Sequence, residues 1–412
     1  MENNQLLIIG FVWPEPESSA AGSRMIQLIT LFQEMGWGVT FASTASESAY
    51  TFDLASIGVT KQSIQLNSDS FDGLLLDINP RVVLFDRFNT EEQFGWRVTL
   101  HCPYAIRILD TEDLHCLRIV RGKRIKEQRR FVLEDLLSED ITKREIASIF
   151  RCDLTLMIAE FEMELLQSFF KIDSSLLFYL PYLIVSSDEK HPLSAYKYED
   201  RRDFIFIGNF LHEPNWDATL YLKNTIWPLI RSKMPKAILR IYGAYPSQKV
   251  FQLHNENEGF LILGRADSVQ QIMSEAKILL APLRFGAGIK GKLIEAMQYG
   301  IPSITTQIGA ESINGTLKWN GTITDDESDV ADAAVTLYNN EEIWNQSIQN
   351  GQQILQKRFL KVDFETIFKD KISTLDSELE QHRKRNFIGS LLQHHTMKST
   401  EYMSRWIQEK NK

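Results

Sequence analysis

At 412 residues, with 43% hydrophobic and 24% charged residues, the chain is long enough for two domains, each with its own core, and ordinary for a soluble globular enzyme. A net charge of −9 argues against general nucleic-acid binding, and no stretch reaches the length of a membrane-spanning helix. Cys102, Cys116 and Cys152 lack metal-ligand spacing and suit a reducing compartment, and the N-terminus lacks a signal-peptide pattern, so the expected location is cytoplasmic.

Short aliphatic runs alternate with helix-period segments, the pattern of a parallel α/β fold. The first half offers strands at Leu6–Val12, Val39–Ser43, Val82–Asp86, Ala105–Leu109 and Leu154–Ile158. Ser23–Met35 reads as a helix closed by Gly36 at its C-cap. The loop before it, Trp13–Arg24, is rich in small residues but lacks G-x-G-x-x-G. It is either a loop facing a cleft, with Gly22 and Ser23 nearest the helix start, or a plain surface loop. Asp110, Asp113 and His115 cluster at the exit of Ala105–Leu109, a setting for polar catalysis or sugar orientation as well as for a structural histidine.

Arg118–Arg130 then carries seven basic residues against one acid. It fits a solvated helix face, or a patch meeting an anionic acceptor or giving peripheral contact with the inner face of a membrane. Pro181 to about Arg202 turns polar and reads as a linker.

A second α/β series follows, with strands at Phe204–Gly208, Ala237–Gly243, Gly259–Leu263, Ile278–Leu283, Pro302–Thr306 and Thr322–Thr324. Helices fall between them at Asn215–Ile230, with Asn215 or Asp217 as N-cap, and at Ser268–Ala276; from Val330 the pattern is mainly helical. The expectation is two Rossmann-like α/β domains, over residues 1–190 and 200–360, with C-terminal helices over 361–412. Open parallel sheets bind ligands at the carboxyl ends of their strands, so the loops after strands should carry the site.

The segment Arg284–Gly300, RFGAGIKGKLIEAMQYG, follows the buried run Ile278–Leu283. Strand, glycine-rich turn and helix point backbone N–H groups at an anion. Lys290 and Lys292 add full positive charge, and Glu295 lies one turn beyond Lys292 on the same helix face. Lys292 on phosphate and Glu295 on a ribose diol is a chemically sound division, because a carboxylate accepts paired hydrogen bonds. An isolated K-x-x-E would read as a surface ion pair; three preceding glycines argue for close backbone approach instead. The exit Gly208-Asn209-Phe210 either admits a phosphate or sugar or is a tight turn.

Together these segments resemble the GT-B glycosyltransferases, specifically family 4, which is retaining and uses nucleotide sugars. The resemblance is densest over Phe204–Ile313: FIGNFLHEPNWDA (Phe206–Ala218), GFLILGRADSVQQIMSEAKILLAPL (Gly259–Leu283), the Arg284–Gly300 segment and TTQIGAE (Thr305–Glu311) stand in the family's order. It implies transfer of a sugar from a nucleotide diphosphate sugar to an acceptor hydroxyl, with retention and with neither metal nor cofactor. The donor would lie on Gly208, Asn209, Gly264, Arg265, Gly286, Ala287, Gly288, Ile289 and Glu295, with Lys290 and Lys292 on the diphosphate. His115 matches the acceptor-domain histidine that faces the sugar, and Gly22, Ser23, Asp110 and Asp113 would lie on the acceptor side. The acceptor class, whether glycan, lipid-linked intermediate or protein, stays open. Two departures stand out: Ala287 occupies the place of the first Glu of E-x7-E, and the family's Arg and Lys after the donor domain's first strand are missing. Two other readings are an inactive GT-B subunit that binds a partner and a GT-B nucleotide-sugar epimerase.

Overall fold

In the computed structural model, which describes residues 4–185 and 197–411, two all-parallel sheets carry the chain. The first sheet contains β1 (Gln5–Gly10), β2 (Gly38–Ser43), β3 (Thr60–Ser63), β4 (Val82–Asp86), β5 (Ile106–Asp110), β6 (Leu154–Met157) and β7 (Leu177–Tyr179), in the order β3-β2-β1-β4-β5-β6-β7. The second contains β8 (Arg202–Ile207), β9 (Leu239–Tyr242), β10 (Phe260–Gly264), β11 (Ala276–Ala281), β12 (Ser303–Thr305) and β13 (Gly321–Ile323), in the order β10-β9-β8-β11-β12-β13. Both are doubly wound. Their strand order reverses between β1 and β4 and between β8 and β11, and crevices form at such reversals.

The central strands are buried on both faces, which is why they read as largely apolar runs: β1, β4 and β5 carry Leu, Ile, Val or Phe at 11 of their 16 positions. The edges are different. Thr60–Ser63 is TKQS and Leu177–Tyr179 has three residues, so neither carries a strand-period signal, and the sequence reading missed both. The helix expected over Asn215–Ile230 is interrupted by a π-turn at Leu222–Ile226, and its N-cap is His212 rather than Asn215 or Asp217. Asn215 lies inside the first turn because its amide is drawn back to the Asn209 carbonyl at 2.9 Å. Half of the proposed linker falls on residues 186–196, outside the described residues.

The last two helices, Val362–Arg385 and Phe387–Lys410, return to the first sheet. Phe368, Ile372 and Leu375 join a core with Leu6, Phe32 and Leu84, and Phe368 meets Phe32 edge-on at 5.4 Å. Arg383 binds both oxygens of buried Asp153 at 2.8 and 2.7 Å, and Asn386 donates to the Phe150 carbonyl. The basic C-terminal end is therefore used partly within the fold.

Candidate active site

A cavity of about 530 Å³ opens between the carboxyl edges of the two sheets. Phe11 follows β1, Arg87 follows β4, and Glu112, Asp113 and His115 follow β5 on one wall. On the other, Gly208, Asn209 and His212 follow β8, Arg265 follows β10, and Phe285, Gly286, Ala287, Ile289, Lys290 and Lys292 follow β11. Every contributing loop leaves the same end of its sheet, as doubly wound topology requires.

The walls are tied together around the glycine-rich loop. Arg121, on the helix His115–Lys126, grips Glu311 with two hydrogen bonds of 2.8 Å and donates to the Gly286 carbonyl at 2.9 Å. Glu162 accepts the Gly288 N–H at 2.6 Å, and Ser312 Oγ accepts the Phe161 N–H at 2.9 Å. Gly288 needs its hydrogen: at φ +63°, a Cβ would stand 2.9 Å from that of Asp113. Further out, the Tyr245 hydroxyl donates to Glu15 across the cleft at 2.7 Å.

The helix Gly291–Gln298 starts at the cleft, with Lys290 as its N-cap. Lys290 is buried and donates to the Gly288 carbonyl at 2.8 Å; burial brings its pKa down to about 8 against the pull of Glu311. Lys292 donates to Asn215 Oδ1 at 2.6 Å and lies 4.3 Å over the Phe206 ring. Burial lowers it to about 7, with Glu295 opposing. Glu295 points into the cleft and makes no side-chain hydrogen bond among the described residues. Burial raises it to about 7, while Lys292 pulls it down and Glu17 pushes it up.

On the facing wall, His115 Nε2 lies 3.3 Å from Asp113, and its ring meets Phe88 edge-on. Its backbone N–H and that of Cys116 are accepted by buried Glu145 at 3.0 and 2.8 Å, which fixes the helix start. Burial lowers the imidazole to about 4, so it is neutral at pH 7. Burial opposes ionisation of Asp113, but Arg118 at 2.6 Å holds its carboxyl well below the usual range.

Of the residues singled out in the sequence, Gly208, Asn209, Arg265, Gly286, Ala287, Ile289, Lys290, Lys292, Glu295, Asp113 and His115 converge on this cavity. Gly264, Gly288, Gly22 and Asp110 stand behind its wall. Gly264 accepts the Gly243 N–H, and the face of Gly22 that a Cβ would occupy is filled by the Glu15 backbone. Asp110 is sequestered in an ion pair with Arg24 at 3.0 Å. Ser23 lines an adjoining cavity of about 280 Å³ that shares Glu17, Tyr182 and Glu295 with the main one.

The sequence reading missed Arg87, Glu112, Arg118 and Tyr182. Arg87 follows an expected strand directly, so the strand-end rule alone points to it.

The basic run Arg118–Arg130 is largely neutralised. Arg118, Arg121, Lys123, Arg124, Lys126 and Arg129 pair with Asp113, Glu311, Glu139, Glu127, Glu213 and Asp135, of which only Glu127 lies within the run itself. This corrects the view of it as a free positive patch. Among the described residues no group of three or more His, Cys, Asp or Glu is placed to hold a metal, and no helix is long and apolar enough to cross a membrane. Cys102, Cys116 and Cys152 are free and buried.

Two doubly wound sheets facing one cleft, with braced C-terminal helices, define the GT-B class. Residues 201–340 match the family model "Glycosyl transferases group 1". Sucrose-phosphate synthase from Thermosynechococcus elongatus superposes with a TM-score of 0.64 at 14% identity, covering 91% of this chain and 99% of that one. HepE from Anabaena, solved with UDP-glucose, gives a TM-score of 0.65 at 11% identity, covering 90% and 100%. WaaG, a glycosyltransferase involved in lipopolysaccharide biosynthesis, gives 0.61 at 11% identity, covering 89% and 99%. An uncharacterized 44.6 kDa protein in the cps region of Klebsiella pneumoniae is 25% identical over 129 residues, 29% of this chain. The match spans only 33% of that relative's length. The chain thus has the GT-B fold, and within it residues 201–340 are similar to the group 1 glycosyl transferases.

Proposed function

We propose that this protein transfers a glycosyl residue from a nucleotide diphosphate sugar to an acceptor hydroxyl, with retention and without a metal. The observation carrying this reading is the convergence of Lys290, Lys292 and Glu295 on the first two turns of one helix, across the cleft from His115. As the nucleotide diphosphate departs it gathers negative charge. Two poorly solvated ammonium groups and free backbone N–H groups at a helix start meet that charge without reorganising. A bound diphosphate raises both lysine pKa values, so the charged forms prevail in the complex. Glu295, with no side-chain hydrogen bond among the described residues, is available for a ribose diol. Neutral His115 donates or accepts a hydrogen bond at the sugar without adding charge there.

Retention is supported by the family resemblance alone. Uridine diphosphate sugars are the first donors to try, because HepE was solved with UDP and UDP-glucose. The first domain supplies the acceptor, and domains 1–190, 200–360 and 361–412 are the working division. Ala287, in place of the expected carboxylate, supports the alternative of an inactive binding subunit. Calorimetry with a panel of nucleotide sugars, followed by an assay of nucleotide release, separates the two. Binding with release supports transfer, binding without release supports the subunit, and unchanged affinity in Lys292→Ala and Glu295→Ala removes the site assignment.

A further inference from the structure

The first sheet has a crevice of its own, where its strand order reverses between β1 and β4. Three side chains there line the cleft and have no place in the donor site. Phe11, leaving β1, is 42% exposed, and the Arg87 guanidinium lies 5.3 Å from its ring. Arg87, leaving β4, makes no side-chain hydrogen bond among the described residues; its nearest carboxylate is Asp86 at 3.9 Å. Glu112, leaving β5, is only 8% exposed, yet its Oε1 has no hydrogen-bond partner among the described residues. A carboxyl so buried and unsatisfied is costly unless a ligand completes it. Arg87 and Glu112 both hold positive φ, at +70° and +60°, which is uncommon for such residues and clusters at functional sites.

Neighbouring charges identify the ligand. Asp110 is engaged by Arg24 and Asp113 by Arg118, while Asp86 accepts the Phe11 N–H at 3.0 Å. What remains for a ligand is one acceptor-bearing carboxyl, one guanidinium and one aromatic face. With Asp86 close by, this wall holds no surplus of positive charge for a phosphate or carboxylate. An acceptor, a donor fork and a ring face suit vicinal hydroxyls on a neutral sugar.

We propose that Phe11, Arg87 and Glu112 form the acceptor subsite, and that the acceptor is a neutral sugar ring rather than an anionic one. This rests on the glycosyl-transfer reading for the word acceptor, whereas the sugar binding it asserts is measurable by itself. Saturation-transfer NMR titrations with glucose, galactose, mannose, glucuronate and glucose 6-phosphate read it directly, on the wild-type chain and on Glu112→Leu, Arg87→Ala and Phe11→Ala. At least one neutral sugar should bind about tenfold more tightly than glucuronate or glucose 6-phosphate, and each variant should weaken it by about tenfold. Affinity for UDP-glucose and the melting temperature, taken on the same samples, should stay within twofold and a few degrees of wild type. The proposal is overturned if no neutral sugar binds, if the anionic sugars bind as well or better, if the variants bind like wild type, or if sugar and UDP-glucose affinities fall together. Failure of the wild-type protein to bind any nucleotide sugar overturns the transferase reading instead, and the free-sugar titrations still decide the subsite.

Discussion

Replacing Lys292 by methionine keeps the length of the side chain and removes its charge. The ammonium is held by Asn215 Oδ1 at 2.6 Å and by the Phe206 face, and burial has lowered its pKa from 10.5 to about 7. Each pH unit of that lowering costs the folded state about 1.4 kcal/mol when the group is charged. Relaxation around a partly exposed side chain recovers much of this, so relief on substitution should be roughly 1–3 kcal/mol. The sign follows from proton uptake. Between about pH 7 and 10.5 the unfolded chain binds the extra proton, so wild-type stability rises with pH across that window. The gain in Lys292→Met is therefore largest at and below pH 7 and fades toward pH 10.5. Loss of a charged hydrogen bond to diphosphate costs about 1.5–3 kcal/mol, or roughly 10- to 150-fold in affinity. Denaturant unfolding at pH 6, 8 and 10, with calorimetry against UDP-glucose at pH 7, tests both halves. A variant that melts several degrees lower while binding UDP-glucose normally would refute the reasoning and make Lys292 a strut for Asn215.

Three further outcomes follow from the same geometry. Donor affinity should fall as pH rises past about 8, where Lys290 and Lys292 both lose protons, and binding near pH 8 should take protons up; equal calorimetric heats in buffers of different ionisation enthalpy would contradict this. Gly288→Ala forces a Cβ against Asp113 at φ +63° and should cost about 1–3 kcal/mol in unfolding free energy, visible as a lower melting temperature; an unchanged melt would refute it. Arg121→Ala strands Glu311 between the two halves and should destabilise by up to about 3–5 kcal/mol; small-angle scattering should show a more extended particle, and an identical profile would deny Arg121 its bracing role.

How far the sequence speaks varies with the physics at each position. Central strands such as Val82–Asp86 are buried on both faces, so their composition declares them. The polar edge strand Thr60–Ser63 is held by pairing to β2 rather than by its side chains, and nothing in TKQS says so. The glycine-rich turn and its lysines were legible because φ and charge leave traces in residue type. Arg87, Glu112 and Arg118 were not, because an arginine or glutamate in a cleft looks like one on a surface until the strands are assembled. The basic run Arg118–Arg130 misled for the converse reason: the acids that neutralise it come from as far away as Glu213 and Glu311.

The returning C-terminal helices bear on how the protein is made. Phe368, Ile372 and Leu375 complete a core with Phe32 and Leu84, so the half synthesised first is finished by residues that emerge after the whole second sheet. At a translation rate of about 5–20 residues per second, that apolar face waits on the order of ten to forty seconds for its cover. Until then the nascent chain presents Phe32 and Phe178, the rings that Phe368 later covers, to whatever surrounds the ribosome. A chaperone that shields this one face would protect the unfinished first half until its cover arrives.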